Sequence, residues 1–277
     1  MGSPKVSIYI PTHNRLNLLK RAVESVLNQS YKNIELIICD DGSSDGTYDY
    51  LKIIAANNIK ILKNETPKGA CYARNACIFS STGEYITGLD DDDYFDPDRV
   101  NRLVASLKTV ETNEPSFVYT GMIIKSKNGT LKKTAPRNVN LEDILKVNCI
   151  GNQVFCKTER LKSIGGFDQT LPAMQDYDLW IRLIEKYGSA SGVNEFTYVH
   201  DITHDHERIS KNSEKLKIAH EIIMRKNSEN KLFNQELFLL NFYAYGFKGH
   251  KIGLIDCVKY IRYGAFKRSL RIWYATR

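Results

Sequence analysis

The sequence predicts an α/β protein built on a doubly wound, mostly parallel sheet. Three observations indicate this class. Short apolar runs alternate with amphipathic segments through the first hundred residues. The run at residues 34–39 is largely apolar, as is typical of a strand buried on both faces. Polar clusters follow three of the four strands predicted there, and open α/β sheets bind their ligands at such strand ends.

Strands and helices are predicted in alternation up to residue 89. Leu19, Ala22, Val23 and Val26 recur at the spacing of one helix face. The full series has strands at 6–10, 34–39, 59–62 and 84–89, and helices near 14–27, 45–57 and 70–81. Strands and helices in this order form right-handed crossovers between parallel strands.

The second half is less regular and predicts a mixed structure. A helix at 97–110 precedes a hairpin that turns at Asn128-Gly129, then a helix at about 176–187 and a strand near 193–200. From residue 210 on the pattern is helical. We therefore expect a domain of residues 1–210, with halves 1–97 and 98–210, followed by a helical, basic region of residues 211–277.

Composition narrows the class of protein further. A hydrophobic content of 42% with 26% charged residues is that of a globular chain. The six cysteines include no Cys-x-x-Cys pair, so we expect buried, reduced thiols. No signal peptide precedes the first strand, and no apolar stretch reaches the ~18 residues that span a bilayer. These features favour a cytoplasmic location.

The net charge of +7 lies in the C-terminal tail. Residues 246–277 hold eight basic residues and one acid, whereas residues 1–245 hold 31 of each. Apolar and aromatic residues interleave with the basic ones, a pattern typical of a segment lying on an anionic membrane surface. Nucleic-acid binding and a solvated helix packed on the core are the alternatives.

The sequence LDDDDYFDP, residues 89–97, places four consecutive carboxylates after the fourth strand. Carboxylates interact favourably with a helix N-terminus, so we assign Asp93 and Asp96 to the helix that begins near Pro97. Helix capping does not explain four in a row. Mg²⁺ and Mn²⁺ take one or two carboxylates and complete their shell with water and substrate phosphates, so residues 90–92 predict a metal site.

Polar clusters also follow the first two strands, PTHNR at 11–15 and DDGSSDGT at 40–47. Asp41 can cap the next helix, or it can accept an N–H from the edge of a nucleobase, because a carboxylate is only an acceptor. Arg15, Lys68 and Arg74 are candidate counter-charges for phosphate. The patterns GxGxxG and GxxxxGK[ST] are absent, which excludes a dinucleotide fingerprint and a P-loop.

A further polar cluster, MQDYDLWIRL at 174–183, opens a predicted helix. Asp176 and Asp178 fit an N-cap and a first-turn carboxylate, and one of them also fits a general base presented at the helix start. Downstream, the stretch THDHER contains His204 and His206, a pair that can ligate a metal.

Taken in order, these motifs resemble those of the family 2 inverting glycosyltransferases with the GT-A fold, of the kind that build bacterial surface polysaccharides. The series is PTHNR, DDGSSDGT, KGACYARN, GEYITGLDDDDYFDP and GGFDQTLPAMQDYDLWIRL, over about residues 5–210. The resemblance implies a GT-A fold with a Rossmann-like nucleotide-binding half at 1–97, a mixed acceptor half at 98–210 and C-terminal helices. It also implies sugar transfer from a nucleotide diphosphate sugar, without naming the sugar.

The resemblance assigns roles by position. Pro11 and Thr12 would line the nucleobase pocket, and Asp41 would hydrogen-bond the base. Residues 90–92 fill the family's Asp-x-Asp element, in which Asp92 would bind Mn²⁺ or Mg²⁺, and Asp90 and Asp91 would contact ribose or metal-bound water.

The family's Glu-Asp pair is matched by Gln175-Asp176, so Asp176 falls at the position of the catalytic base. The glutamine puts any role of the glutamate in doubt. A family histidine that contacts metal or diphosphate falls within 204–206, where we favour His206.

The implied reaction is a single displacement with inversion, in which Asp176 removes a proton from an acceptor hydroxyl. We expect a UDP-sugar as donor and a glycan acceptor, polyprenyl-diphosphate-linked, in O-antigen or capsule-like biosynthesis. Such an acceptor favours membrane contact by residues 246–277 over nucleic-acid binding.

Two other functions would use a similar α/β sheet and similar acidic residues. A sugar-nucleotide nucleotidyltransferase would carry a glycine-rich phosphate loop after its first strand, where this chain has PTHNR. A catalytically inactive nucleotide-sugar-binding protein would lack Asp92 or Asp176, and both are present.

Overall fold

The structure is a computed structural model of the chain and describes residues 3–107, 114–204, 212–244 and 253–275. Strands and helices alternate through the first half, as predicted. In chain order they are β1 (Val6–Thr12), α1 (Leu16–Leu27), β2 (Ile34–Asp41), α2 (Thr47–Ile54), β3 (Ile59–Asn64), α3 (Ala70–Ser80) and β4 (Tyr85–Gly88).

The second half adds short strands and helices. They are β5 (Tyr94–Phe95), α4 (Arg99–Ser106), β6 (Val118–Ser126), β7 (Gly129–Lys133), β8 (Asn138–Val139), α5 (Leu141–Lys146), β9 (Phe155–Lys157), α6 (Thr158–Ser163), α7 (Gln175–Tyr187) and β10 (Ala190–Asp201). The β6–β7 hairpin is present, but Gly129 already belongs to β7. The turn therefore lies one residue earlier than predicted, at Lys127-Asn128.

The C-terminal region is helical, as predicted. It contains α8 (Ser213–Asn227), α9 (Gln235–Ala244), α10 (Leu254–Lys259), a 3-10 helix (Tyr260–Tyr263) and α11 (Phe266–Ala275).

The described strands form one ten-stranded sheet with the order β3-β2-β1-β4-β9-β6-β10-β5, in which β7 pairs with β6 and β8 with β10. Strands β3, β2, β1 and β4 run parallel, and Val6 of β1 lies between Ile34 of β2 and Tyr85 of β4. Strand β9 is antiparallel to β4 and β6 and joins the two halves. The carboxyl ends of β1, β2 and β4 therefore meet at one edge, and so do the polar loops that follow them.

Alternate residues of the parallel strands face two apolar cores. Ile8 and Ile38 pack in the core that includes α1 and α4, whereas Tyr9 and Ile37 pack in the core that includes α3 and α7. Because both faces are covered by helices, the strands can be apolar throughout. This confirms the predicted doubly wound α/β class.

The C-terminal helices take part in two different cores. Leu216 and Ile223 of α8 and Phe238 of α9 are buried in the larger core beside α7. Helices α10 and α11 instead form a small cluster with α9, which includes Cys257 and Leu240. The division of the chain at residue 210 stays a prediction.

All six cysteines are free, and all except the half-buried Cys149 are buried. No helix among the described residues is both long enough and apolar enough to span a bilayer.

Candidate active site

A cavity of about 430 Å³ opens where the parallel strands end. Its walls come from the loops after β1, β2 and β4 and from the starts of α3 and α7. The predicted site residues that line it are Pro11, Thr12, Arg15, Asp41, Arg74, Asp90, Asp91, Asp92 and Asp176. Residues from motifs that are far apart in the sequence thus lie together in the wall of one cavity.

The loop after β1 is tied to its neighbours by hydrogen bonds. Thr12 Oγ1 donates to Asp91 Oδ2 over 2.8 Å. Asn14 has a left-handed backbone with φ of 52°, its N–H donates to Ser43 Oγ, and its side-chain oxygen accepts the Ser44 N–H. A non-glycine residue in this conformation is strained and persists only where its surroundings hold it. These bonds fix the loop against the other two.

Asp41 is a buried carboxylate at the end of β2. It accepts hydrogen bonds from Asn64 Nδ2 (2.7 Å) and from the backbone N–H groups of Lys68 (2.8 Å) and Gly69 (2.7 Å). These N–H groups precede α3, so Asp41 stabilises the start of α3 and not that of the next helix, α2. A carboxylate offers about four acceptor positions, so roughly one remains for a ligand.

Lys68 contributes to the site through its backbone. Its side chain is exposed, and Lys68 Nζ lies 3.2 Å from the Tyr72 hydroxyl and above that ring. The cavity wall does not include Lys68. Its predicted role as a phosphate counter-charge stays a prediction.

Asp90 and Arg74 form a partly buried ion pair in the cavity wall, with 2.9 Å between Arg74 Nη2 and Asp90 Oδ1. Burial alone would raise the pKa of Asp90, but the Arg74 guanidinium and the donated bond from Asn152 outweigh it, so the pKa lies below its ordinary value. Asp90 is therefore held ionised.

Asp91 and Asp92 share one cation. Arg15 Nη1 lies 3.0 Å from Asp91 Oδ1 and 3.1 Å from Asp92 Oδ2. Burial, together with the charges of the neighbouring aspartates, raises the pKa of Asp92 to about 7. Nε2 of His204 lies 3.3 Å from Asp92 Oδ2. The carboxylate of Asp92 thus carries charge that the nearby cation does not fully offset.

Asp93 does not belong to the helix start, contrary to the prediction. Its side chain is fully buried and contacts β10. Oδ2 accepts from the Tyr198 hydroxyl (2.6 Å) and Asn152 Nδ2 (3.2 Å) and lies 3.1 Å from His200 Nδ1, while Oδ1 accepts the Asp201 N–H (2.9 Å). Asp93 therefore holds the acidic loop, residues 89–93 between β4 and β5, against β10.

The prediction for Asp93 failed because its partners are 59 to 108 positions away in the chain. Helix α4 begins only at Arg99. Asp96 does lie at that helix start, where its Oδ1 accepts the Asp98 N–H over 3.0 Å.

Asp176 lies in the first turn of α7. The preceding Met174 has a left-handed backbone with φ of 56°, which marks the sharp entry into the helix. Burial, with a smaller effect of the Asp90 charge, raises the pKa of Asp176. Asn148 Nδ2 approaches Asp176 Oδ2 at 3.5 Å. Gln175 Oε1 accepts from Arg74 Nη1 over 3.3 Å, so the amide keeps a contact with the cation that pairs with Asp90.

Asp178, the other candidate for the general base, forms ion pairs with two cationic side chains. It is 2% exposed and accepts from Arg182 Nε (2.8 Å) and from Lys226 Nζ of α8 (2.7 Å). Lys226 also pairs with Asp168, and Arg182 donates to the Gly166 carbonyl. These contacts connect the start of α7 to α8 and to the turn that precedes α7. Asp176 is therefore the carboxylate of this helix that lines the cavity.

Sequence reasoning did not single out several residues of the cavity wall. They are His13, Asn152, Phe167, Met174, His200 and Leu216. His13, Phe167 and Met174 lie inside the motifs quoted above and could have been found there. Asn152, His200 and Leu216 lie in stretches without a motif. The predicted metal contact His206 lies outside the described residues.

The donor set around Asp92 fits a hard divalent cation. Carboxylate oxygens suit Mg²⁺ and Mn²⁺, and the carboxylates of Asp91 and Asp92 lie side by side on the Arg15 guanidinium. Within the described ranges, no three His, Cys, Asp or Glu side chains form a complete ion cage. Mg²⁺ and Mn²⁺ prefer one or two carboxylates, with water and substrate phosphates as the other ligands.

The doubly wound sheet, the acidic loop and the carboxylate at the start of α7 define a glycosyltransferase with the GT-A fold. The chain belongs to glycosyl transferase family 2, whose family model matches residues 7–165. The predicted family, fold and enzyme class are confirmed.

Two relatives from Escherichia coli illustrate the similarity. The colanic acid biosynthesis glycosyl transferase WcaA of strain K12 is 36% identical over 221 residues, which cover 77% of this chain and 78% of the relative. The UDP-Glc:alpha-D-GlcNAc-diphosphoundecaprenol beta-1,3-glucosyltransferase WfaP is 34% identical over 199 residues, with 68% and 74% coverage.

Two solved structures share the fold. S. aureus TarS 1-349 in complex with UDP-GlcNAc superposes with a TM-score of 0.63 at 16% identity, covering 98% of this chain and 91% of the 1-349 chain. The mannosyltransferase PcManGT from Pyrobaculum calidifontis, in complex with GDP-Man and Mn²⁺, gives 0.57 at 15% identity, with 100% and 74% coverage. At these identities the likeness concerns the fold.

Proposed function

We propose that this glycosyltransferase moves one sugar from a UDP-sugar to a hydroxyl of a lipid-linked glycan during polysaccharide biosynthesis, with inversion at the anomeric carbon. The observation that carries the proposal is the position of Asp176, whose raised pKa suits a base, in one cavity with Asp41 and the acidic loop. The names of WcaA and WfaP support the same process.

The donor nucleotide binds against the loops after β1 and β2. Pro11 and Thr12 contact the base, and Asp41 uses its remaining acceptor position on a base N–H. Arg15 and Arg74 supply positive charge to the diphosphate, and Asp90 and Asp91 lie toward the ribose. The preference for uracil follows the name of WfaP, which gives UDP-Glc as its donor.

Asp176 acts as the general base. Its carboxylate takes the proton from the acceptor hydroxyl while the hydroxyl oxygen forms a bond to the anomeric carbon. The bond from that carbon to the diphosphate oxygen breaks with both electrons, and UDP leaves from the opposite face. A base whose pKa lies closer to neutrality than that of an ordinary aspartate accepts the proton more readily, and such assistance contributes roughly 10²–10⁴-fold.

Asp92 would hold a divalent cation, with His204 or His206 as a further ligand. A cation bound there would supply a Lewis acid that neutralises the charge of the leaving diphosphate. The shared Arg15 and the raised pKa of Asp92 support this assignment, because both reflect a carboxylate in need of a further positive charge.

The acceptor is a glycan on a polyprenyl diphosphate, by analogy with the diphosphoundecaprenol acceptor in the name of WfaP. We therefore place the reaction at the cytoplasmic face of the plasma membrane, with the protein peripherally associated. The sugar and the linkage depend on the cavity wall contributed by the second half of the chain.

The test is a transfer assay with purified protein, Mn²⁺ and a synthetic GlcNAc-diphospho-lipid. UDP-glucose, UDP-GlcNAc, UDP-galactose and GDP-mannose are compared as donors, with thermal shift as a parallel measure of donor binding. We expect transfer from a UDP-sugar with an inverted anomeric centre in the product. Transfer from GDP-mannose alone, or a product with retained configuration, would contradict the proposal.

A further inference from the structure

The C-terminal helices expose a stripe of aliphatic side chains. Leu254, Ile255, Val258 and Ile261 are 53%, 84%, 57% and 57% exposed. Their spacing of one, four and seven residues from the first places them on one side of α10 and the 3-10 helix that continues it. We call these four residues the outer stripe.

The outer stripe is not needed for packing within the chain. Cys257 and Tyr260 alternate with it and are buried against Leu237 and Leu240 of α9. The segment therefore has a second apolar face that supplies its internal contacts.

The concentration of exposed apolar residues here differs from the rest of the described chain. Among the residues that the structure describes, thirteen large hydrophobic ones are exposed, and six of these lie between residues 254 and 274. The other seven are spread over the remaining described residues, from Leu27 to Leu232. Single exposed apolar residues are ordinary, whereas a cluster marks a surface that contacts something.

The helices of the C-terminal region also carry exposed basic residues. Lys259 is exposed and lies in sequence between Val258 and Ile261, and Lys267 and Arg271 are exposed one turn apart on α11. The tail of residues 246–277 holds eight basic residues against one acid. Aliphatic side chains combined with lysine and arginine are complementary to the acyl chains and phosphates of anionic lipids.

We propose that the outer stripe inserts into the interfacial layer of an anionic bilayer while Lys259, Lys267 and Arg271 contact lipid phosphates. This inference rests on the proposed function and deepens it, since it names the surface that carries the enzyme to a lipid-linked acceptor. A second copy of the chain is the competing occupant, and the basic residues of this region would repel their counterparts in such a pair.

The experiment measures binding of the full chain to vesicles of phosphatidylcholine alone and of phosphatidylcholine with about 30% phosphatidylglycerol, an anionic lipid that attracts basic segments. The stripe variant carries Ile255→Gln, Val258→Gln and Ile261→Gln. The matched control carries Ile53→Gln and Leu131→Gln, two residues that are 82% and 64% exposed outside the C-terminal region. Thermal midpoint and UDP binding verify that each variant is folded.

We expect the wild type to prefer the anionic vesicles, the stripe variant to bind them at least tenfold more weakly, and the control to stay within twofold of the wild type. Replacing Lys259, Lys267 and Arg271 by glutamine should weaken binding on the order of 100-fold, about fivefold for each charge. Equal binding of the wild type and the folded stripe variant would overturn the proposal. So would a dimer in light scattering that the stripe variant converts to a monomer.

Vesicle binding requires neither donor nor acceptor, so the two proposals can fail separately. A wild-type protein that does not bind anionic vesicles but still transfers sugar from a UDP-sugar overturns the proposal for the outer stripe alone. Vesicle binding without transfer from any UDP-sugar overturns the proposed function alone.

Discussion

The buried carboxylate of Asp93 offers a sharp test of how the acidic loop is held. The change Asp93→Asn keeps the shape of the side chain and removes its charge. The native carboxylate uses both oxygens, with Tyr198 and Asn152 donating on one side and the Asp201 N–H on the other. An asparagine has one oxygen, so its NH₂ group must face at least one of these donors.

The expected loss of stability follows from the hydrogen bonds that Asp93→Asn removes. A hydrogen bond to a charged group contributes about 1.5–3 kcal/mol, and a buried donor left without an acceptor costs about 1–3 kcal/mol. Together these predict a loss of about 3–5 kcal/mol in the free energy of unfolding, the range found when one partner of a buried ionic network is removed. For a chain of this size, that lowers the thermal midpoint by roughly 6–20 °C.

Denaturant unfolding and a thermal scan of Asp93→Asn measure this loss directly. Asp96→Asn is the matched control, because Asp96 is only half-buried and its side chain accepts the Asp98 N–H at a helix start. The control should lose no more than about 1 kcal/mol. An Asp93→Asn protein as stable as Asp96→Asn would refute the role of Asp93 as the anchor of the acidic loop.

Three further predictions concern catalysis and the support of α7. The acid limb of the pH profile of kcat/KM should lie at a higher pH than an ordinary aspartate gives, because the base Asp176 must be deprotonated and burial raises its pKa. Gln175→Glu should move this limb to still higher pH, because it adds a negative charge. A limb that does not move would contradict Asp176 as the titrating group. Chelation should abolish transfer and added Mn²⁺ or Mg²⁺ should restore it, whereas full activity in excess chelator would exclude the metal. Lys226→Met should lower the free energy of unfolding by about 2 kcal/mol, because it leaves buried Asp178 with one cation. The loss is moderate because the side chain of Lys226 is one-third exposed. A denaturation midpoint equal to that of the exposed control Lys231→Met would contradict this prediction.

The sequence was sufficient to predict the parallel half of the fold. Successive residues of β1 and β2 face opposite helix layers, and both faces of these strands are buried. Such strands therefore appear in the sequence as continuous apolar runs. The position of the site followed from topology, because loops at the carboxyl ends of β1, β2 and β4 must meet at one edge. Both signals are local in the sequence.

The parts that sequence reasoning did not provide depend on contacts between distant segments. Asp93 resembles its three neighbours in the sequence, and only its burial against β10 separates its role from theirs. Asp41 stabilises the start of α3 through two N–H groups 27 and 28 positions away. Leu216 reaches the cavity from α8, in a region whose sequence suggests only a helical extension. Periodicity cannot reveal such contacts.

The central claim is that Asp176 is the general base of a sugar transfer, and Asp176→Asn tests it most directly. The amide has the same shape and cannot accept the proton, while Asp41, Arg15 and the acidic loop remain intact. Isothermal titration with UDP and Mn²⁺ should give a Kd within about threefold of the wild type, and the transfer rate should fall by roughly 10²–10⁴-fold. Transfer at close to the wild-type rate, with UDP binding unchanged, would contradict the account.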